Sequence, residues 1–392
     1  MKITFISNYL THHQIPFSEK MAKMPEVEYC FISTCPMNEE RIQMGWKNEI
    51  SYPFELKAYQ SEKNQRRAEE LAFESDVVII GSASDHYIIP RLKKNKLTFR
   101  YAERFYKEGL NIKNLGHAAV GTWIHHGRFQ KYPLYMLCAS GYTASDGALF
   151  GNYLNKSYKW GYFPEFKEYK EELNKENGKK CSILWAGRMI PYKHPEMVVF
   201  LAEELKKREY RFRIQMIGDG ELKNSLQKMI DEKKLSDCVE LLGNKKPEDV
   251  RIYMERSHIY LLTSDFYEGW GAVLNEAMNS KCAVVASHAA GSVPFLINDG
   301  QNGLIYENEK QEHFNQQVIR LIENPEYRNM LGENAYKTIA DLWNAETAAE
   351  RFLKLSKKLL SGDAAKEVFL TGPCSRAEII KNDWYRCGEK QQ

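Results

Sequence analysis

A chain of 392 residues is too long for one ordinary core, so two domains are expected. Hydrophobic residues at 43% and charged residues at 27% exclude large-scale disorder, and 55 basic against 52 acidic residues, a net charge of +3, leave no case for nucleic acid as a partner. No run approaches the roughly 20 apolar residues of a membrane-spanning helix.

The opening MKITFISNYL lacks the long apolar core of a signal peptide and reads as a first buried strand. A cytoplasmic protein, or one peripheral on the inner face of a membrane, is expected. Strand-like runs follow at KITFIS (2–7), VEYCFIST (27–34) and DVVIIGS (76–82), with helical patterns in IPFSEKMAKM and QRRAEELAFE. Strand, helix, strand in succession implies a parallel sheet covered on both faces. The basic run RLKKNKLTFRYAERFYKEG (91–109) reads either as a solvated helix and strand or as a patch against anionic lipid. YMLCAS (135–140) is a further strand, with a helix starting at TASDGALF.

The polar stretch 164–180 is the linker candidate. The alternation then restarts with strands at CSILWAG (181–187), FRIQMIGDG (212–220), CVELLG (238–243), HIYLLTS (258–264), CAVVAS (282–287) and GLIYE (303–307). Helices fill 310–362, and GPCSRAEIIKNDWYR in the tail is expected to add another. The domains so delimited are 1–163, a linker at 164–180, 181–345, and C-terminal helices in 346–392 that pack back towards the first domain. The fold class is α/β, with two Rossmann-like doubly wound domains. Ligands bind such sheets outside the carboxyl ends of the strands, so chemistry is sought in the turns that follow them. The eight cysteines are scattered without a CxxC pair, and several lie in strand-like runs. They read as buried free thiols, and no zinc site is expected.

The most informative turn is SDFYEGWGAVLNE (264–276). A buried strand ends at Ser264, a loop carries Glu268, Gly269 and Gly271 flank Trp270, and a helix bears Glu276. Glycines let backbone approach a ligand, and the start of a helix favours an anion. Two carboxylates placed in this way can hold different parts of one extended ligand. Glutamate, seven residues and glutamate, with glycines after the first, resembles the signature of the retaining glycosyltransferases of family 4, glycosyl transferases group 1, with the GT-B fold. The resemblance implies that Glu268 contacts the transferred sugar and that Glu276 binds the ribose hydroxyls of the nucleotide. It also implies donor contacts at Gly187, Gly218, Gly269, Trp270, Gly271 and Ala272.

WAGRMIPYKHPE (185–196) places Arg188 after a strand end and Lys193 five residues later. A guanidinium grips phosphate with two bonds and an ammonium acts as a point charge, the two kinds of help a diphosphate leaving group needs. The family carries Arg and Lys here, so Arg188, Lys193 and Glu268 are the expected catalytic groups. GDG (218–220) resembles the turn beside the donor, LLGNKKPED (241–249) the segment that meets the base, and AAGSVPFLINDGQNGLIYE (289–307) follows in the family's order. The resemblance covers about 181–345. The opening also resembles that of bacterial surface-polysaccharide transferases.

The first half departs from the family, because SNYLTHHQIPFSEKM (7–21) lacks the Gly-Gly pair of many relatives. His12 and His13 stand there instead, either as acceptor or phosphate contacts or as turn residues. His86 follows the strand at 76–82, and His125 and His126 form a further pair. The resemblance implies one histidine near the sugar without identifying it. It also implies transfer with retention, a UDP-sugar ahead of a GDP-sugar, a glycan or lipid-linked glycan acceptor, and no metal or other cofactor. A sugar-nucleotide epimerase on the same scaffold and a non-catalytic scaffold of a polysaccharide-assembly complex are the alternatives.

Overall fold

The computed structural model describes residues 1–39, 51–110, 113–171, 173, 175, 180–362 and 368–386. The chain divides into two units, Met1–Glu165 with Trp343–Lys381, and Phe166–Leu342 with Asn382–Gln392.

The first unit is built on seven strands: β1 (Lys2–Ser7), β2 (Glu28–Ser33), β3 (Glu55–Lys57), β4 (Val77–Ile80), β5 (Thr98–Ala102), β6 (Leu134–Cys138) and β7 (Ser157–Lys159). They lie in the order β3-β2-β1-β4-β5-β6-β7, and every pair is parallel. β4 is buried along its whole length, as a strand covered on both faces must be. Helix Glu62–Glu74 starts where the Ser61 side chain accepts the Asn64 N–H at 3.1 Å. The last helix, Ala345–Leu360, belongs to this unit. Its Phe352 packs against Phe17, Phe99 and Trp160, and its Glu346 pairs with Lys20 at 3.1 Å.

The second unit has six parallel strands: β8 (Cys181–Ala186), β9 (Phe212–Ile217), β10 (Val239–Gly243), β11 (Ile259–Leu262), β12 (Ala283–Ser287) and β13 (Leu304–Tyr306). Their order is β10-β9-β8-β11-β12-β13. Helix Glu196–Lys207 shows why the crossovers are helical. Val198, Leu201, Ala202 and Leu205 recur at three- and four-residue spacing and are buried, with Glu196 in the first turn and Lys206 and Lys207 in the last. Among the described residues, no helix is long and apolar enough to cross a membrane.

The structure adds detail to three sequence expectations. The described tail after Leu360 contains no helix. Gly372 at φ +77°, Pro373 and Cys374 at φ +65° interrupt it, and Arg376 bridges antiparallel to Tyr158 at the sheet edge. The three arginines of the basic run 91–109 point inward, while its Lys93 and Lys94 are exposed. Arg91 is fully buried and donates to Thr98 Oγ1 at 3.0 Å, Ser75 O at 3.1 Å and Leu97 O at 2.7 Å. Arg100 pairs with Asp85 at 2.7 Å and Arg104 with Asp146 at 3.2 Å. Desolvation holds the Arg91 guanidinium down to about 9, a cost offset by its ring of carbonyl acceptors. Finally, described residues of 164–180 lie against the second unit. Lys167 exchanges two main-chain bonds with the Asn279 side chain at 2.9 Å, and the Lys175 amine donates to Ser257 O at 2.7 Å and Ser280 O at 2.8 Å.

Candidate functional site

In the second sheet, β8 and β11 are neighbours, and the chain leaves them on opposite sides, to β9 from one and to β12 from the other. This is the topological switch point, where the loops beyond two adjacent strands part and leave a crevice. The loop after β8 carries Gly187, Arg188 and Lys193, and the loop after β11 carries Glu268. The two are bound together by long-range contacts. The Trp185 indole donates to Thr263 Oγ1 at 2.8 Å, Thr263 Oγ1 donates to Lys193 O at 2.5 Å, and Asp265 N donates to Tyr192 O at 2.9 Å. Lys193 Nζ donates to Glu268 Oε2, and the Ser264 hydroxyl donates to the same oxygen at 2.9 Å. The side chains of Lys193 and Glu268 are only 13% and 12% exposed. Their attraction therefore acts through a medium far less polarisable than water. Arg188 is further out, with Nη2 donating to Tyr192 OH at 3.0 Å.

His194 joins this group, although sequence reasoning passed over it. It sits in the left-handed region at φ +46°, with Nδ1 at 3.0 Å from Glu196 Oε1 and Nε2 at 3.2 Å from Asp265 Oδ2. Hydrogen bonds to Asp265 first and Glu196 second raise its pKa to about 9. It is therefore an imidazolium at neutral pH and clamps the Lys193 turn to the Glu268 loop. Its adjacency to Lys193 was the only signal in the sequence.

Gly218 is required by close approach and Gly271 by its backbone conformation. Gly218 has φ +134°, and a Cβ there would lie 1.9 Å from Gly187 O. Gly187 N in turn donates to Ile217 O at 3.0 Å. Gly271 has φ +85°, and a Cβ would meet Glu268 Cγ at 3.3 Å. Gly218→Ala is expected to force the two turns apart and destabilise the second unit by about 3 kcal/mol or more, through overpacking and a strained φ together. Urea unfolding measures this, and a midpoint equal to that of the wild type would contradict the close approach.

Glu276 lies on helix Val273–Asn279, one turn before Asn279. Burial pushes its carboxyl up to about 7, against the opposing pull of the Arg251 guanidinium. Arg251 also holds the Asn279 side chain, the group that bonds the Lys167 backbone. The helix is thus braced from behind by the segment expected to be a linker. Trp270 is fully buried, donates to Asn275 Oδ1 at 2.8 Å and packs near Phe295, so its indole is a core group. Gly269 and Ala272 are buried beside it.

In the first unit, β1 and β4 flank the corresponding switch point. His12 and His13 follow β1, with ring centroids 3.7 Å apart, and His13 stacks on Tyr162 at 5.3 Å. His86 follows β4, is exposed, and lies 3.9 Å from both the Tyr87 ring and Glu69 Oε1. His125 Nδ1 is 3.5 Å from Asp85. His126 is a packing group: Nδ1 lies 2.8 Å from Tyr153 OH, the ring stacks on Phe105 at 4.5 Å, and burial first, with the Arg100 charge second, lowers its pKa to about 3. Among the described residues, no group of three or more His, Cys, Asp or Glu could hold a metal ion, and the described cysteines are free thiols.

Residues 165–338 match the family described as Glycosyl transferases group 1. The poly(ribitol-phosphate) alpha-N-acetylglucosaminyltransferase of Staphylococcus aureus is 28% identical over 174 residues, 43% of this chain and 34% of that protein. The chain thus spans about a third of that relative's length. An uncharacterised glycosyltransferase of Methanocaldococcus jannaschii is 27% identical over 259 residues, 64% of this chain and 67% of that one. The crystal structure of Anabaena HepE in complex with UDP superposes with a TM-score of 0.67 at 14% identity, covering 92% of this chain and 100% of that one. The fold is that of the GT-B glycosyltransferases, two α/β Rossmann-like domains with parallel sheets.

Proposed function

We propose that this chain, with its match to glycosyl transferases group 1 over 165–338, is a glycosyltransferase that moves a sugar from a nucleotide diphosphate sugar to a glycan or lipid-linked glycan, with retention at the anomeric carbon. One observation carries the reading. Lys193 and Glu268 meet at the switch point of the second sheet, on two loops locked to each other, and Glu276 follows on the next helix. UDP is the favoured carrier, supported by the HepE complex. A polymeric acceptor is supported by the staphylococcal relative, a poly(ribitol-phosphate) alpha-N-acetylglucosaminyltransferase.

The bond between the anomeric carbon and the diphosphate oxygen lengthens, and its electron pair moves onto the leaving phosphate. Arg188 and Lys193 stabilise that growing negative charge, and His194, neutralised between Glu196 and Asp265, fixes the turn that presents Lys193. The acceptor hydroxyl bonds to the same face of the sugar and passes its proton to a phosphate oxygen. Glu268 holds the sugar, and Glu276 accepts from the ribose hydroxyls. Fixed cationic groups take the place of a divalent metal in this scheme.

A thermal-shift titration with UDP, GDP, ADP and CDP in the presence of EDTA tests the donor site. A nucleotide at 100 times its Kd is expected to add about 2.7 kcal/mol of stability. A shift with UDP alone supports the reading, and no shift with any of the four removes the donor assignment. Release of UDP from a UDP-sugar only when an acceptor is added separates a transferase from an epimerase.

A further inference from the structure

From Asn382 onward the chain belongs to the second unit, and its described residues there dock against two histidines. Tyr385 is the one buried side chain among residues 381–386. Its ring stacks on His288, just after β12, and on His313, in helix Gln311–Glu323, with centroids 6.2 Å and 6.1 Å away and planes 29° and 6° apart. Its hydroxyl donates to Ile305 O on β13 at 2.8 Å and lies 3.2 Å from Asp299 Oδ2.

The hydrogen bonds fix the protonation of both rings. Asn308 N donates to His288 Nδ1 at 2.9 Å, so that nitrogen carries no proton. Nε2 carries it instead and donates to Asn382 O at 3.0 Å, which ties down the main chain of the tail. His313 Nδ1 likewise accepts, from Glu307 N at 3.2 Å. Both imidazoles are neutral in the docked state, and a further proton on Nδ1 of either would break a main-chain hydrogen bond.

His288 also touches the candidate site. Its ring meets that of Phe266 edge-on at 5.6 Å, and Phe266 stands two residues before Glu268. The segment that His288 begins supplies Gly291 N to Glu268 O and Ser292 N to Trp270 O, both at 3.1 Å. Tail, His288 and Glu268 loop thus form one continuous set of contacts within the second unit. His288 is only 5% exposed, so its ring cannot turn without displacing one of these neighbours.

We propose that the docked tail, through Asn382 and Tyr385, is a positioning element that holds His288 and with it the Glu268 loop, and that it lets go when the two imidazoles are protonated. The role of Glu268 rests on the nucleotide-sugar reading, whereas the docking and its release do not. Burial lowers the pKa of both rings. It prevails over the Asn382 carbonyl, Glu307 and Asp383 at His288, and over Asp299 and Glu307 at His313. Docking that needs neutral rings is fully present above the ordinary histidine value of about 6.5 and is lost as pH falls below it.

Hydrogen exchange of the full chain without ligand tests this, read as protection factors at pH 7.5 and pH 5. Segments 264–270 and 288–292 are expected to lose about tenfold in protection at pH 5. In a chain ending at Lys381 they are expected to be equally open at pH 7.5 and to change no further with pH. Tyr385→Ala should follow the shortened chain, and Tyr385→Phe, which keeps the ring between the imidazoles, should stay close to wild type. Transfer by the shortened chain at pH 7.5 is expected to fall about tenfold in kcat, with UDP affinity within about twofold, because Glu276 is untouched. Loop segments equally protected in the wild type, the shortened chain and Tyr385→Ala overturn the positioning role. Protection lost evenly over the whole second unit overturns it too, by making the tail a general support. Wild-type segments that keep their protection at pH 5 overturn the release. The expected exchange pattern without any UDP binding would sustain the docking and remove only the nucleotide-sugar reading.

Discussion

Lys193→Ala is expected to lower kcat/KM for transfer by about 10²–10³-fold, with most of the loss in kcat, because its ammonium acts on charge that develops in the transition state. The geometry sets this expectation. Lys193 follows β8 and reaches across to Glu268 on the loop after β11, in a largely shielded position. Removing one partner of such a pair leaves an uncompensated carboxylate, and a shielded pair broken in this way costs about 3 kcal/mol or more of stability. A loss of activity alone could therefore reflect a damaged loop. The double variant Lys193→Met, Glu268→Gln separates the two effects, because it removes both charges together. Its melting temperature is expected to recover towards that of the wild type while transfer stays low. Lys193→Ala with kcat/KM within a few fold of wild type would end the leaving-group assignment. Arg188, further out and held to Tyr192 OH at 3.0 Å, gives the same direction of effect with a smaller stability cost.

Glu276→Gln is expected to raise the stability of the ligand-free protein at pH 8 while weakening nucleotide binding about 100-fold. Burial pushes the Glu276 carboxyl up to about 7, whereas the unfolded chain titrates near the ordinary glutamate value. A raised carboxyl pKa means that the folded state binds the extra proton. The stability tied to that proton is fully present below the unfolded pKa and is lost as pH rises through about 7. At pH 8 the wild type carries a charged, poorly hydrated carboxylate, and the amide removes it. At ~1.4 kcal/mol per pKa unit, and discounting for partial exposure, the gain is about 2 kcal/mol. That corresponds to about 4–8 °C in melting temperature for a domain of this size. The advantage should fade below about pH 5, where both proteins are neutral at this position. Binding should change in the opposite sense, because two charge-assisted bonds to the ribose hydroxyls are lost. Wild-type nucleotide affinity should therefore fall as pH drops through about 7, and that of the variant should not. Melting curves and nucleotide titrations at pH 5 and pH 8 measure both. A variant that is no more stable at pH 8 and binds nucleotide equally well would remove Glu276 from the site.

Glu268 and Glu276 are legible from local sequence because they stand eight positions apart with the glycines between them. That spacing suffices to place one on a loop and one on a helix. The GDG turn is equally visible, but the reason for its first glycine is not. Gly218 is needed because Gly187 O, 31 positions earlier, occupies the space a Cβ would take. The role of His194 is hidden for the same reason, since Asp265 reaches it from the loop after a different strand. Long-range pairing of this kind leaves no periodic signal.

Local physics in the sequence by itself determined the alternation of strands and helices. Runs such as VVII and CSILWA are too short for helices and too apolar for an open face, which leaves buried parallel strands. What only the tertiary structure decided is which side chains face inward where composition is silent. Arg91, Arg100 and Arg104 read as surface charge, yet carbonyls and carboxylates from distant elements make their burial tolerable. The apolar helix Leu115–His125 has the composition of a core element, yet it keeps its outer face in solvent because no other described element covers it. The tail has the composition of a helix, yet at the edge of the first sheet it pairs with Ser157–Lys159. In each case the sequence states what a side chain or a backbone group needs, and only the folded chain states what is there to supply it.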